Sequence, residues 1–195
     1  NKVKKIADAA IKILAEIGIS DAPKELSDLV LDRGGKLEGN RLIYTPNLIK
    51  KTIAEHQRVV LLAGRVVEND LQVGGNNVYA GTGGAAPNLQ NPKTNQYVPS
   101  KLKDLYDAAR LADRLPNISF FSRSLVAGDI ENPLDFDLST AAASLAGTSK
   151  HVMVQASHWS HVTEIAALCH KIAGGEESFR KRPFLSLHVN HAVPP

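Results

Sequence analysis

The chain has 195 residues, 43% of them hydrophobic and 22% charged, with a formal net charge of +3. These are the proportions of a globular protein large enough for a core of its own. Basic residues are scattered and aromatics make up only 5%, which argues against nucleic acid as a partner, since that needs a basic stripe with interleaved aromatics. No apolar run is long enough to span a bilayer and no charged-then-apolar leader is visible, so no membrane partner is expected. The one cysteine, Cys169, excludes an internal disulfide and fits a cytoplasmic setting.

The first third reads as helical. Ile6, Ala10, Ile13, Leu14 and Ile17 recur at helical spacing and predict one inward face, ended by Gly18. Pro23 opens a second helix with Leu26, Leu29 and Val30 inward, closed by Gly34-Gly35. Residues 36–44 read as a hairpin turning at Gly39-Asn40, and Thr45-Pro46 as an N-cap with a first-turn proline ahead of a third helix. Strands are predicted at 59–63, 71–73 and 78–80. Beyond Pro99 the texture becomes regular: helix 101–115, strand 118–121, helix 133–146 capped by Asn132, strand 152–156, helix His161–Ala173 capped by Ser160, and strand 184–189.

Counted from the strand at 78–80, this is βαβαβαβ, the pattern of a parallel sheet with crossover helices. Four strands suit half of an eight-stranded barrel or part of an open doubly wound sheet. The chain begins without methionine and ends at Pro194-Pro195 directly after a strand, so a piece of a longer protein is expected. The expected division is 1–57, a helical region with a hairpin, and 58–195, the first four strands and three helices of an α/β barrel truncated at its C-terminal end.

In parallel α/β folds the ligand-binding groups sit at the carboxyl ends of the strands. Those ends carry Gly81-Thr82-Gly83-Gly84 first, then Ser122-Arg123-Ser124. Gln155, Ser157, His158, Trp159 and His161 follow the third strand, and His188, Asn190 and His191 the fourth. Glycines at a strand exit admit positive φ and let backbone approach a ligand closely. The turn formally contains G-x-G-x-x-A, but Pro87 blocks an immediate helix, which argues against a dinucleotide. Arg123 suits a carboxylate or an internal ion pair with Asp129 or Asp113, and Trp159 suits a methylammonium group or plain packing. The His158/His161 and His188/His191 pairs invite a metal reading, yet no carboxylate accompanies them at zincin spacing, and no metal is expected. The candidate substrate-binding set is therefore Gly81, Thr82, Gly83, Gly84, Arg123, Gln155, His158, His188, Asn190 and His191. No nucleophilic triad is visible, and no catalytic residue is assigned.

Four segments carry a likeness in their order: Glu16-Ile17-Gly18-Ile19, the hairpin from Gly39 to Pro46, the glycine exit with Pro87-Asn88, and the stretch from Asp107 to Ile118. Together they resemble the N-terminal part of the trimethylamine methyltransferase family, along the whole chain. The resemblance implies a TIM-type (β/α)8 barrel that takes a methyl group from a tertiary or quaternary methylamine, or from a betaine such as glycine betaine. It further implies that the acceptor is the cobalt of a corrinoid held by a separate protein, and that the glycine exit is a wall of the site. Some members carry pyrrolysine in a part of the barrel beyond this chain. Two other readings stay open: a metal-assisted TIM-barrel lyase or hydrolase using His158, His188 and His191, and a non-catalytic small-molecule-binding fragment. An open half-barrel exposes strand edges, so a homo-oligomer is expected.

Overall fold

The structure is a computed structural model and describes residues 2–188. They form two compact units, one reaching to Gln57 and the other starting at Arg58. In the first unit, helix α1 (Lys2–Glu16) leads into strand β1 (Ile19–Ser20), and helix α2 (Lys24–Leu31) into strands β2 (Lys36–Glu38) and β3 (Arg41–Ile43). Helix α3 (Pro46–Glu55) closes the unit. The strands form an antiparallel sheet in the order β1-β3-β2, with Leu37 opposite Leu42. The Thr45 hydroxyl caps α3 by accepting from the Leu48 N–H at 3.3 Å, as the Thr-Pro signal predicts.

Val30, Leu42 and Leu48 make the small core of this unit. Gly18 is fixed by two constraints: its φ is +67°, and a Cβ there would lie 2.3 Å from the Leu42 carbonyl oxygen. One sequence expectation fails here. The apolar face of α1 is not inward: Ile6 is 71% and Ile13 54% exposed, and Leu29 on α2 is half exposed too. Periodicity marks an apolar face but not what covers it. Within this unit α1 is held near its C-terminal end, where the Tyr44 N–H donates to Leu14 O at 3.1 Å.

The second unit begins with an antiparallel pair, β4 (Val59–Leu62) and β5 (Leu71–Gly74). A second hairpin follows, β6 (Asn88–Gln90) and β7 (Tyr97–Pro99), which turns through Asn95 at φ 59°. Then come helix α4 (Leu102–Arg114), strand β8 (Phe120–Ser122), helix α5 (Pro133–Gly147) and strand β9 (His151–Val154). Helices α6 (His161–Ala173) and α7 (Glu176–Lys181) precede strand β10 (Leu185–Leu187). The three later strands form a parallel sheet in the order β8-β9-β10, with Phe121 and Leu185 both in register with Val152.

The predicted strand at 78–80 is absent. Val78 is 91% exposed, and only isolated parallel bridges join Gly81 to Phe120 and Ala86 to Leu125. Gly81 permits the first of these by lacking a side chain: a Cβ there would meet the Phe120 ring at 2.3 Å. The segment therefore runs beside β8, held by Ser119 N–H to Ala80 O at 2.6 Å, without becoming a regular strand.

Helices α5 and α6 bury Ala141, Leu145, Ile165 and Cys169 with Val152 and Val154 of the sheet, while Leu105, Ala109 and Ala112 of α4 cover Phe121. Close approach of α4 and α5 depends on small residues, since a Cβ on Gly147 would stand 2.5 Å from that of Ala109. The amino end of β9 is closed by polar contacts. Buried His151 bonds Ala63 O through Nδ1 at 2.8 Å and Ser186 Oγ through Nε2 at 3.0 Å. Arg65 donates to Thr148 O at 2.9 Å, and Arg182 grips Asp70 through two bonds. Buried Lys150 donates to the carbonyls of Ala112, Leu115 and Ile118, where α4 ends and its last carbonyls need partners. The opposite, carboxyl end of the sheet is the open one.

Candidate functional site

Strand β8 ends in Ser122 and is followed by Arg123, β9 is followed at once by Gln155 and β10 by His188, and these polar residues lie around one cleft. At the end of β8, Ser122 is tied to the glycine turn. The Thr82 hydroxyl donates to Ser122 O at 2.6 Å and accepts from the Ser122 N–H at 2.9 Å. The next residue, Arg123, is anchored through its backbone N–H to Met153 O of β9 at 3.0 Å. Its Nη2 donates to Gln155 Oε1 at 2.7 Å, and the guanidinium lies 5.5 Å from the centre of the Phe136 ring. His188 leaves β10 with its N–H bonded to Val154 O at 2.8 Å.

Two adjoining hollows result. One, of about 540 Å³, is bounded by Thr82, Gly83, Gly84, Ser122, Arg123, Gln155 and His188. The other, of about 420 Å³, is bounded by Arg123, Phe136, Asp137, Gln155, Ser157 and His188. Arg123, Gln155 and His188 border both, so the pair forms one cleft across the strand ends. These volumes are of the order that small-molecule sites require. A wider hollow of about 920 Å³ in the first unit has an apolar floor of Leu26, Val30 and Leu48 under exposed charged residues. Its charged lining residues, among them Asp32, Arg33, Lys51 and Glu55, lie on α3 or just after α2.

The electrostatics of the cleft are set by Arg123 and Asp137. Burial pushes the Arg123 pKa down from its usual value, and the Asp137 carboxylate opposes that shift. Asp137, on α5, has a side chain only 2% exposed. Its Oδ2 accepts from the Ser157 N–H, the Ser157 hydroxyl and His161 Nδ1, each at 2.7 Å. One carboxylate thereby fastens α5 to the loop after β9 and to the start of α6.

The structure separates the sequence candidates. Thr82, Gly83, Gly84, Arg123, Gln155 and His188 border the cleft, whereas Gly81 packs against Phe120. A Cβ on Gly83 or Gly84 would meet nothing within 4 Å, so those two form an open rim. His158 is exposed and outside the lining; its Nδ1 meets Ser160 Oγ at 2.8 Å, which engages Ser160 and leaves α6 without the predicted side-chain cap. Trp159 is 80% exposed and stacks on nothing in the cleft. Neither ion pair considered for Arg123 forms: Asp113 bonds Thr148 and Ser149, and Asp129 accepts from the Leu102 N–H. Asn190 and His191 lie outside the described residues. Among the described residues, no three His, Cys, Asp or Glu side chains gather where they could hold a metal ion. Cys169 is buried in the core, where burial pushes its thiol up to about 11.

Two participants escape the strand-end reading, Phe136 and Asp137, because both lie inside a helix. A signal existed: Asp137 shares a helical face with Ala141, Ser144 and Leu145, so the pattern already put a carboxylate on the buried side.

Comparison with known proteins matches residues 1–195 to the trimethylamine methyltransferase (MTTB) family. The chain belongs to the trimethylamine methyltransferase family. Among curated relatives it is 23% identical to trimethylamine methyltransferase MttB of Desulfitobacterium hafniense (strain DSM 10664 / DCB-2), over 97% of this chain and 38% of the relative. It is 24% identical to glycine betaine methyltransferase of Desulfitobacterium hafniense (strain Y51), over 100% of this chain and 40% of the relative. Trimethylamine methyltransferase MttB of Methanosarcina barkeri is 27% identical over 96% of this chain and 39% of its own length. The chain thus spans about two fifths of the family relatives it matches. No helix among the described residues is long and apolar enough to cross a membrane.

Proposed function

We propose that this chain is part of a methyltransferase that moves a methyl group from a tertiary or quaternary methylamine, or a betaine, to the cobalt of a corrinoid carried by a partner protein. In this reading the amine sits in the cleft at the strand ends. The observation that carries it is the family match over the whole chain; the convergence of Thr82, Arg123, Gln155 and His188 supplies a place for the substrate. The architecture that goes with the reading is the first part of a (β/α)8 barrel. Its support is the strictly sequential order β8-β9-β10, with the segment at Gly81 as a parallel neighbour on the β8 side. A cytoplasmic homo-oligomer belongs to the same proposal.

The described lining residues suit a positioning role. They contain no thiol, and Cys169 lies in the core with its proton held tightly. A corrinoid, when bound opposite the cleft, would supply a low-valent cobalt nucleophile. The substrate loses one methyl, the electron pair of the broken C–N bond stays on nitrogen, and a less methylated amine leaves. What the chain must do is hold the amine with one methyl facing outward and keep water from its flank. Gly83 and Gly84 form an open rim through which a partner could approach, while Phe120 offers apolar surface to methyl groups. The metal-assisted alternative loses support with His158 outside the cleft lining.

The full-length protein should methylate its reduced corrinoid partner when given a suitable amine, followed by the absorbance change of the cobalt centre. Failure across trimethylamine, glycine betaine and related quaternary amines would overturn the reading.

A further inference from the structure

Arg123 is a half-buried cation whose hydrogen-bonding capacity is largely unspent. A guanidinium carries five N–H donors, and this one has a single side-chain bond, from Nη2 to Gln155. Among the described residues no carboxylate lies within ion-pair distance of it. One face of the fork is occupied by the Phe136 ring at 5.5 Å, which leaves its in-plane edge donors. Asp137, the nearest balancing charge in the cleft lining, spends its Oδ2 on three donors from Ser157 and His161. The aromatic surface in the described lining is Phe120 and Phe136, and the second of these is covered by the guanidinium itself.

This is a poor setting for a substrate that is only a cation. Trimethylamine is protonated near neutral pH, and a trimethylammonium group would enter beside a fixed positive charge, with Asp137 the one carboxylate in the described lining and its Oδ2 already taken. A zwitterion fits far better. Its carboxylate can take two parallel N–H bonds from the planar fork, the geometry that makes arginine the usual reader of carboxylates. Its quaternary nitrogen can then lie toward the glycine rim, away from the guanidinium. Gln155 holds the fork from one side and Phe136 from its face, so the arrangement is in place before any ligand arrives.

Resting on the methyltransferase reading above, we propose that Arg123 is the carboxylate anchor of the cleft and that the substrate class is a carboxylated quaternary amine, an N-trimethylated amino acid, rather than trimethylamine. Arg123 is then a specificity-determining residue, with Gln155 and Phe136 as its positioning residues.

The test uses the full-length protein and its corrinoid partner. Binding is measured by calorimetry and methyl transfer by absorbance for glycine betaine, choline and trimethylamine, in wild type and in Arg123→Gln and Arg123→Lys. Wild type should bind glycine betaine more tightly than choline, which keeps the trimethylammonium and lacks the carboxylate. Arg123→Gln should weaken glycine betaine by about 10- to 100-fold, the usual range for losing a charged hydrogen-bond partner, and leave choline unchanged or slightly improved. Arg123→Lys should restore part of the loss, since the charge returns without the fork. Equal loss for both ligands in Arg123→Gln, or a wild type that favours trimethylamine, would overturn the assignment of Arg123. Methyl transfer that proceeds indifferently to the carboxylate refutes only this inference. Absence of transfer from every amine refutes the functional reading beneath it.

Discussion

Asp137→Asn is the most informative single substitution for how the fold holds its site. The carboxylate is almost fully buried and its Oδ2 takes three bonds of 2.7 Å. Charge-assisted bonds are roughly twice as strong as neutral ones, so an asparagine that keeps its oxygen in place should lose about 1 kcal/mol per bond, or about 2–3 kcal/mol in all. Asp137→Ala goes further, stranding the Ser157 and His161 donors without an acceptor, and should cost about 3–5 kcal/mol. Asp107→Asn is the contrast: it breaks the exposed pair with Lys103, and exposed pairs contribute about 0.2–1 kcal/mol. Urea unfolding monitored by circular dichroism should rank the three as Ala, then Asn, then the surface control. An Asp137→Asn protein within about 0.5 kcal/mol of wild type would refute the claim that this carboxylate joins α5 to the loop after β9.

Two further outcomes follow from the packing. Gly18→Ala meets both a positive φ and the Leu42 carbonyl oxygen at 2.3 Å; it should destabilise the protein by about 2 kcal/mol or more, and a melting temperature equal to that of wild type would contradict the placement. His151 is neutral in the fold, because burial pushes its pKa below 6.5 while it bonds Ala63 O and the Ser186 hydroxyl. A depressed folded-state pKa means that its contribution is complete above 6.5 and is lost as pH falls below it. Moving from about pH 8 to about pH 5 should therefore lower the urea midpoint of wild type more than that of His151→Gln, whose side chain does not titrate. Equal acid losses in the two proteins would dispose of this role.

Much of the architecture is legible from periodicity. The alternating apolar runs beyond Pro99 and the Asn132 cap, which accepts from the N–H groups of Leu134 and Asp135, suffice to place α4, β8, α5, β9 and α6 to within two residues. What escapes is whatever depends on a partner outside the window. The β6–β7 hairpin reads as a plain loop because each strand is only three residues long and the turn between them is Asn-Pro-Lys-Thr-Asn. Helix α7 hides as a short charged run after Gly174-Gly175. Residues 78–80 look strand-like, yet pairing there is limited to the bridges at Gly81 and Ala86. Among the site candidates, Arg123, Gln155 and His188 border the cleft because each directly follows a strand of the parallel sheet, whereas Thr82 borders it through its hydroxyl bonds to Ser122 of β8 and not as a strand end. His158 lies outside the cleft lining because its loop turns it to Ser160, and Asp137, which the strand ends do not point to, reaches the cleft from a helix.

The most direct measurement is a crystal structure of the full-length protein with glycine betaine bound. The account predicts ligand density at the carboxyl ends of β8, β9 and β10, with the carboxylate against the Arg123 guanidinium and Gln155 alongside. A ligand bound elsewhere, with the cleft beside Arg123 empty at saturating concentration, would contradict it.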